Sequence, residues 1–295
     1  MKPLLVVGIF IVVGIFIFSL KPADAGYDWW SILWNYYMND TISSTAAENL
    51  NNFPYLVNGS FVNTNALAAA GKLNSDCKDL VFVDENNDEL NYEFESYSDS
   101  LYGCDRKQTI IWVQSKTLRM DGSTNSSMYY GNYEETSFHN KTADTWDSNY
   151  VLVMHFGEGY ENIAHDSAGV DNYGTLIAED GGSATFQAGR FGYGVNLSGS
   201  IDGSGDNKAY IQISDHDDLD INDKFTIEAW IYFNNIDENY QRIAVKGDLS
   251  QTPLQENWGF YVQNLSLSLG WVDIGGIDYS VAVPSIQTAD SWDYY

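Results

Sequence analysis

Short runs of β-branched and aromatic residues, cut every few positions by Asn, Asp, Gly and Ser, recur through most of this chain. Leu80-Val81-Phe82-Val83, Leu90-x-Tyr92-x-Phe94, Ile110-Ile111-Trp112-Val113, Val151-Leu152-Val153-Met154, Tyr210-Ile211-Gln212-Ile213, Phe225-x-Ile227-x-Ala229-x-Ile231, Gly259-Phe260-Tyr261-Val262 and Leu265-x-Leu267-x-Leu269 all have strand length. Several alternate with period two, which lines one face of a strand with apolar side chains. After Gly26 almost nothing keeps helical i, i+3, i+4, i+7 spacing for three turns; the exception is Asn63 to Lys72, whose Leu67-Ala68-Ala69-Ala70 predicts a short helix. Many short strands with turn residues between them predict an all-β protein of antiparallel sandwiches. The 295 residues fit two such domains, each large enough for its own core.

The first residues set the expected compartment. Lys2 is followed by the uncharged run Pro3 to Leu20 and then by Lys21-Pro22-Ala23-Asp24-Ala25. A basic start, an apolar stretch and an Ala-x-Ala site are the parts of a secretory signal peptide, here 1–25. The rival reading is a retained membrane anchor, and no Cys lies close enough to carry a lipid. Export to an oxidising compartment favours pairing of Cys77 with Cys104, the only cysteines in the chain, the alternative being two separate buried thiols. Asn39, Asn58, Asn125, Asn140, Asn196 and Asn264 each open an N-x-S/T triplet, the acceptor pattern for N-glycans, although a chain rich in Asn and Ser also forms such triplets by chance.

Charge narrows the partners. With 14 Lys+Arg against 41 Asp+Glu the formal net charge is -27, so no nucleic-acid partner is expected, phosphate contact needing a clustered basic surface. The acidity suits a surface kept hydrated in high salt and equally an exported acidic β protein.

Catalytic chemistry is thinly represented. There is no G-x-S-x-G elbow, and His139, His155, His165 and His216 stand apart without an H-E-x-x-H pattern. His155, in an apolar run before Phe156, reads as a hydrogen-bonded core histidine rather than a ligand. Gly189-x-x-Gly192-x-Gly194 has no strand-helix setting and reads as a turn. Asp84-x-Asn86-x-Asp88 with Glu95 imitates a calcium loop, but Glu89 occupies the glycine position, so a β-turn between Val83 and Leu90 is expected. Asp215-x-Asp217-Asp218-x-Asp220-x-x-Asp223 reads as a solvated acidic loop. Trp258 and Trp271 could stack on sugar rings, although a core role is the expectation in a chain with nine Trp.

Trp29-Trp30, Phe53-Pro54-Tyr55-Leu56-Val57, Asp76-Cys77-Lys78-Asp79-Leu80-Val81-Phe82-Val83-Asp84, Glu93-Phe94-Glu95-Ser96, Ile111-Trp112-Val113 and Met128-Tyr129-Tyr130-Gly131-Asn132 follow one another in the first half. In that order they resemble DUF2341, an exported β-rich domain of unknown function, over 26–133. The polar stretch 134–145 reads as a linker. From 146 to 295 the chain resembles a LamG-like, concanavalin A-type jelly roll. The resemblance rests on Met154-His155-Phe156-Gly157-Glu158-Gly159, Asp166-Ser167, Asn172-Tyr173-Gly174-Thr175, Gly189 to Leu197, Tyr210 to Ile213, Leu219-Asp220-Ile221 and Phe225 to Ile231.

The second resemblance implies binding of a glycan or a surface protein without catalysis, and a structural calcium ion held by Asp166, Asn172 and Asp202. The other function class it leaves open is the accessory binding part of a longer exported hydrolase. Trp292-Asp293-Tyr294-Tyr295 resembles the start of a mid-domain strand of that family, so the second domain is expected to be incomplete.

Overall fold

The structure, a computed structural model, describes residues 13–14, 33–57, 62–95, 103–104, 109–120, 122–139, 142–158, 161–169, 171–199, 208–220, 224–234, 241–248, 255–263, 266–272, 278–284 and 291–294. Apart from Val13–Gly14, the expected signal segment 1–25 lies outside the described residues, as do Trp29-Trp30 and Asp202. The fold is nearly all β. It divides into two compact units, one of Met1–Ile177, Ala184–Leu197 and Tyr210–Gln212, the other of Ala178–Ser183, Ser198–Ala209 and Ile213–Tyr295. The stretch 134–145 expected as a linker falls within unit 1.

Unit 1 is built on two antiparallel sheets. The first contains β1 (Val13–Gly14), β2 (Tyr36–Ser43), β4 (Leu80–Asp84) and β7 (Ser123–Tyr130) in the order β1-β2-β7-β4; the second has the order β3-β6-β5, from β3 (Leu50–Val57), β5 (Tyr92–Phe94) and β6 (Ile111–Leu118). Met38, Ile42, Leu80, Phe82, Met128 and Tyr130 from the first sheet and Tyr55, Val57, Tyr92, Phe94, Ile111 and Val113 from the second share one buried cluster. The period-two pattern thus sends alternate residues into a sandwich core, each fully buried Val, Leu, Ile or Phe contributing about 1.5–3 kcal/mol. Two side chains tie the sheets together: the Tyr92 hydroxyl donates to the Leu80 carbonyl at 2.7 Å, and the Tyr55 hydroxyl lies 2.8 Å from Ser126 Oγ.

The expected helix forms as α1 (Thr64–Ala69), capped by Asn63, whose side chain accepts from the Ala66 amide. Cys77 and Cys104 form a disulfide, with Cα atoms 5.2 Å apart. The loop before β5 is the expected turn: Asn87 N donates to Asp84 O, Asn87 has φ 66°, and Asp84 Oδ1 accepts from the Asn86 and Asp88 amides.

Val151–Met154, expected as a strand, is irregular. Phe156, just after it, stands at φ 57°, outside the extended region, and the backbone groups of this run bond to a loop: the Val153 amide donates to Asp166 and the Ser167 amide to the Val153 carbonyl. After the four-residue α2 (Thr142–Thr145), β8 (Ile163–Ala164) and β9 (Gly174–Glu179) join β12 (Lys208–Ile213) in a sheet of order β12-β9-β8. Strands β10 (Ser183–Ala188) and β11 (Tyr193–Ser198) pair around the expected glycine turn, where Gly189 N donates to Gly192 O and Gly192 adopts φ 60°.

Unit 2 carries a four-stranded meander, β14 (Gln241–Asp248), β15 (Gln255–Gln263), β16 (Ser266–Val272) and β17 (Asp278–Pro284), and the ribbon of β13 (Trp230–Tyr232) with β18 (Trp292–Tyr294). Its core joins Phe233 and Val262, with Ile231, Ile243 and Leu267 packed against them. Of the alternation expected over Phe225–Ile231, only the end is strand.

Candidate functional site

Strand β5 alternates Tyr92 and Phe94 into the core, so Glu93 and Glu95 point from the opposite face of the second sheet, yet both are buried. The residues after 140 cover them. The Gln114 side-chain amide donates to the Thr145 carbonyl at 3.0 Å and that of Asn91 to the Asp144 carbonyl at 3.1 Å, docking α2 on this face. Beyond it, Glu93 accepts from Trp146 Nε1 at 2.5 Å and from Ser167 Oγ at 2.6 Å, while Glu95 accepts from Trp112 Nε1 at 3.0 Å. His155 sits between the carboxylates, Nε2 3.4 Å from Glu93 and Nδ1 3.5 Å from Glu95, with its ring stacked on Trp112.

The electrostatics match that enclosure. Burial pushes the Glu95 carboxyl above its ordinary value against the opposing pull of His155 and Trp112. Burial also works against the His155 imidazolium, but the Glu93 bond and the charges of Glu95, Glu93 and Glu158 outweigh it, so His155 titrates above its usual value. Ser167 donates to Glu93 and not to the imidazole, so the group lacks the hydroxyl-to-base contact of a nucleophilic site. Its arrangement is that of a clamp fastening 142–168 to the sheet. The expected core role of His155 agrees with this burial and bonding.

The remaining expected site residues also have defined places. Asp166 is buried; Oδ1 accepts from the Val153 amide at 2.8 Å and the Ala168 amide at 2.9 Å, and Oδ2 from the Asn172 amide at 3.2 Å. Asn172 Nδ2 donates to the Val151 carbonyl at 2.9 Å. Calcium takes six to eight oxygens, whereas here both carboxylate oxygens of Asp166 already face N–H hydrogens. Asp166 and Asn172 therefore act together as a loop clamp, while Asp202, the third residue expected at a calcium ion, lies outside the described residues. Among the described residues no group of three or more His, Cys, Asp or Glu is placed to hold a metal. Glu95 binds Trp112, away from the Asp84–Asp88 turn. Asp215 and Asp220 both pair with Lys246.

A cleft of about 300 Å³ opens at the other end of the unit 1 sandwich. Its walls are the Asp84–Asp88 turn, Ser115–Thr117 of β6, Arg119 and Thr124–Ser126 of β7; Ile42, Tyr55 and Leu90 also line it. Register explains the polar end: Asp40, Ser126 and Asp84 lie side by side across β2, β7 and β4. Opposite them, Asn52 of β3 adopts φ 52° between the Asn51–Thr117 and Phe53–Ser115 pairs, and the register of β3 with β6 is the same on both sides of it. Lys116 reaches Asp88 at 3.0 Å and Asp84 at 3.5 Å, and Arg119 pairs with Glu85. Asp40 is 4% exposed beside the Tyr55 hydroxyl, and neither carboxyl oxygen is in a well-formed hydrogen bond. Burial pushes its pKa up to about 7.

Residues 76–158 match the family described as a domain of unknown function, DUF2341. No curated protein and no solved structure matches the chain. The DUF2341 match begins later than the expected 26–133 and runs on through α2, Trp146 and His155 to Glu158. It therefore includes both sides of the Glu93–His155–Glu95 clamp, and the segment from Trp146 to Glu158 packs where the DUF2341 strand β5 needs covering.

Unit 2 settles the tryptophans differently from one another. Trp258 is buried, with Nε1 donating to the Leu219 carbonyl at 3.3 Å. Trp271 stacks on Tyr279 at 5.6 Å. On the β13–β18 ribbon, Ile231 faces the core, which leaves Trp230 and Tyr232 pointing away from it, both exposed; Tyr232 opposes Trp292, their rings 5.5 Å apart. Sequence reasoning followed the Phe225–Ile231 phase as the apolar face and passed over these three. The signal was present: aromatic residues at 230 and 232, in the phase that a solvated strand fills with polar side chains.

Proposed function

We propose that the chain is an exported, non-catalytic glycan-binding protein whose C-terminal part is a LamG-like module. The observation that carries this reading is the outward aromatic face of the β13–β18 ribbon, where Trp230, Tyr232 and Trp292 lie together outside the core. Large apolar rings grouped on a solvent face mark interaction sites, and flat aromatic faces suit sugar rings. Export is supported by the Lys2–Ala25 pattern and by a disulfide, which persists in oxidising compartments. The absence of turnover is supported by Ser167, His155 and the two buried carboxylates being bonded to one another as a clamp.

A glycan array together with a reducing-sugar release assay on the full chain tests this. Binding without release, weakened at least tenfold by Trp230→Ala, is the expected result. Sugar release that depends on residues 146–295, or capture of protein ligands alone, would overturn it.

A further inference from the structure

The DUF2341 portion has its own opening in the cleft at the Asp84–Asp88 turn, distinct from the aromatic ribbon. Three carboxylates, Asp84, Glu85 and Asp88, stand at its rim with two cations, Lys116 and Arg119, and every one of the five is in an ion pair with another. A charged ligand would have to break such a pair and leave a like charge uncompensated. An uncharged ligand rich in hydroxyls need only displace water, since each hydroxyl can donate to a carboxylate and accept from Lys116, Arg119 or the Asn125 amide. The floor offers the same chemistry: Tyr55 and Ser126 bond to each other at 2.8 Å, either able to donate, so the pair keeps further hydrogen-bonding capacity toward the opening.

A second observation lies behind this pair. Asp40 is buried beside the Tyr55 hydroxyl and across from Ser126, and neither of its oxygens is in a well-formed hydrogen bond. A poorly satisfied buried polar group carries a desolvation cost that calls for an explanation, and a polar partner entering the neighbouring cleft supplies one. The cleft volume of about 300 Å³ is at the small end of ligand sites, enough for one ring and not for an extended chain.

We infer that this cleft binds a single uncharged pyranose unit, held by hydroxyl contacts to Ser126, Tyr55, Asn125 and the Asp84–Asp88 turn. The inference rests on the reading of the chain as a glycan binder and adds a site in unit 1. Saturation-transfer NMR on the full chain with glucose, galactose, mannose and N-acetylglucosamine, and with glucuronate and glucosamine as charged comparators, tests it.

At least one neutral sugar should bind with a dissociation constant in the ~mM range, about 4 kcal/mol. Asn86→Trp, an exposed turn position that would fill the mouth, should weaken binding at least tenfold without lowering the melting temperature, and Asn125→Ala should weaken it severalfold. Val283→Ser, at an exposed position outside both the cleft lining and the aromatic ribbon, should leave monosaccharide binding unchanged. Tighter binding of a charged comparator, or indifference to both cleft substitutions, overturns the inference. If Trp230→Ala abolishes all sugar binding while Asn86→Trp does nothing, the ribbon reading stands and the cleft inference falls. Loss in Asn86→Trp alone leaves the cleft standing, while the ribbon stands or falls on the glycan-array binding of Trp230→Ala.

Discussion

At the scale of single residues, two buried aspartates have opposite characters. Asp40 has no well-formed hydrogen bond, and burial lifts its carboxyl from 3.8 to about 7 against the pull of Tyr55 and the Thr41 amide. The folded chain then keeps a proton that the unfolded chain has released, so Asp40 costs nothing below pH ~4 and destabilises increasingly as pH rises to ~7, by about 4 kcal/mol in total. Glu95 and Asp79, also pushed up by burial, act in the same direction. Asp40→Asn keeps the shape and removes the ionisation. Thermal melts across this range should show a shallower decline in the variant, matching wild type at the acid end and exceeding it at the alkaline end; equal slopes would show that Asp40 is not the group responsible. Asp166, by contrast, accepts three backbone N–H groups. Asp166→Ala should cost about 2–4 kcal/mol by leaving them unsatisfied. Melting in millimolar calcium and in chelator should give the same loss, because the carboxylate organises a loop; a calcium-dependent difference removed by the substitution would restore the metal reading.

At the scale of elements, polar groups of Trp146, His155 and Ser167 fasten the residues after α2 to the carboxylates of Glu93 and Glu95. Glu93→Leu would leave Trp146 Nε1, the Ser167 hydroxyl and His155 without their acceptor, an expected cost of about 3–5 kcal/mol for a buried ionic partner removed. Hydrogen exchange should report the loss over Trp146–Ala168 while β3 and β6 stay protected; uniform loss over both would mean that the clamp supports the whole sandwich. His155, whose folded pKa lies above its ordinary 6.5, supplies stability that is complete below that value and fades as pH rises through the folded one, so Trp fluorescence should show this segment loosening on the alkaline side. A second link is covalent. Joining Cys77 to Cys104, 27 positions apart, stabilises by roughly 3–4 kcal/mol on the chain-entropy account. Replacing both by Ser should lower stability by that order, and thiol titration of denatured, unreduced protein should find no free sulfhydryl.

At the scale of the molecule, the net charge of -27 sets up self-repulsion that compactness makes worse. Raising NaCl from about 0.05 M to about 1 M shortens the Debye length from over 10 Å to about 3 Å, so the melting temperature should climb steadily across that range. A flat or falling response would mean that local ion pairs such as Lys116 with Asp88 dominate over the general repulsion.

The strands were legible because alternation is a local property: Leu90-x-Tyr92-x-Phe94, Ile110 to Val113 and Gly259 to Val262 record in sequence which face meets a core, and the glycine turn at Gly189–Gly192 and the Asn63-capped helix are equally local. Val151–Met154 was not legible. Its apolar residues are those of a strand, but Phe156 in a left-handed conformation and the Asp166 carboxylate, thirteen positions after Val153, capture its backbone. Within the polar run 134–145, the contacts of His139 with Glu89 in the loop after β4 and of the Thr145 carbonyl with Gln114 in β6 are long-range and could not be read from composition. The sites depended most on tertiary structure. Glu93 and Glu95 occupy the phase that belongs to solvent in an isolated strand, and only a distant segment buries them. Asp40, Ser126 and Asp84 meet through strand register across three strands far apart in the chain. Period and turn chemistry act over a few residues and are written in the order of the amino acids; which polar groups are desolvated, and against what, is a long-range outcome decided only when the sheets close.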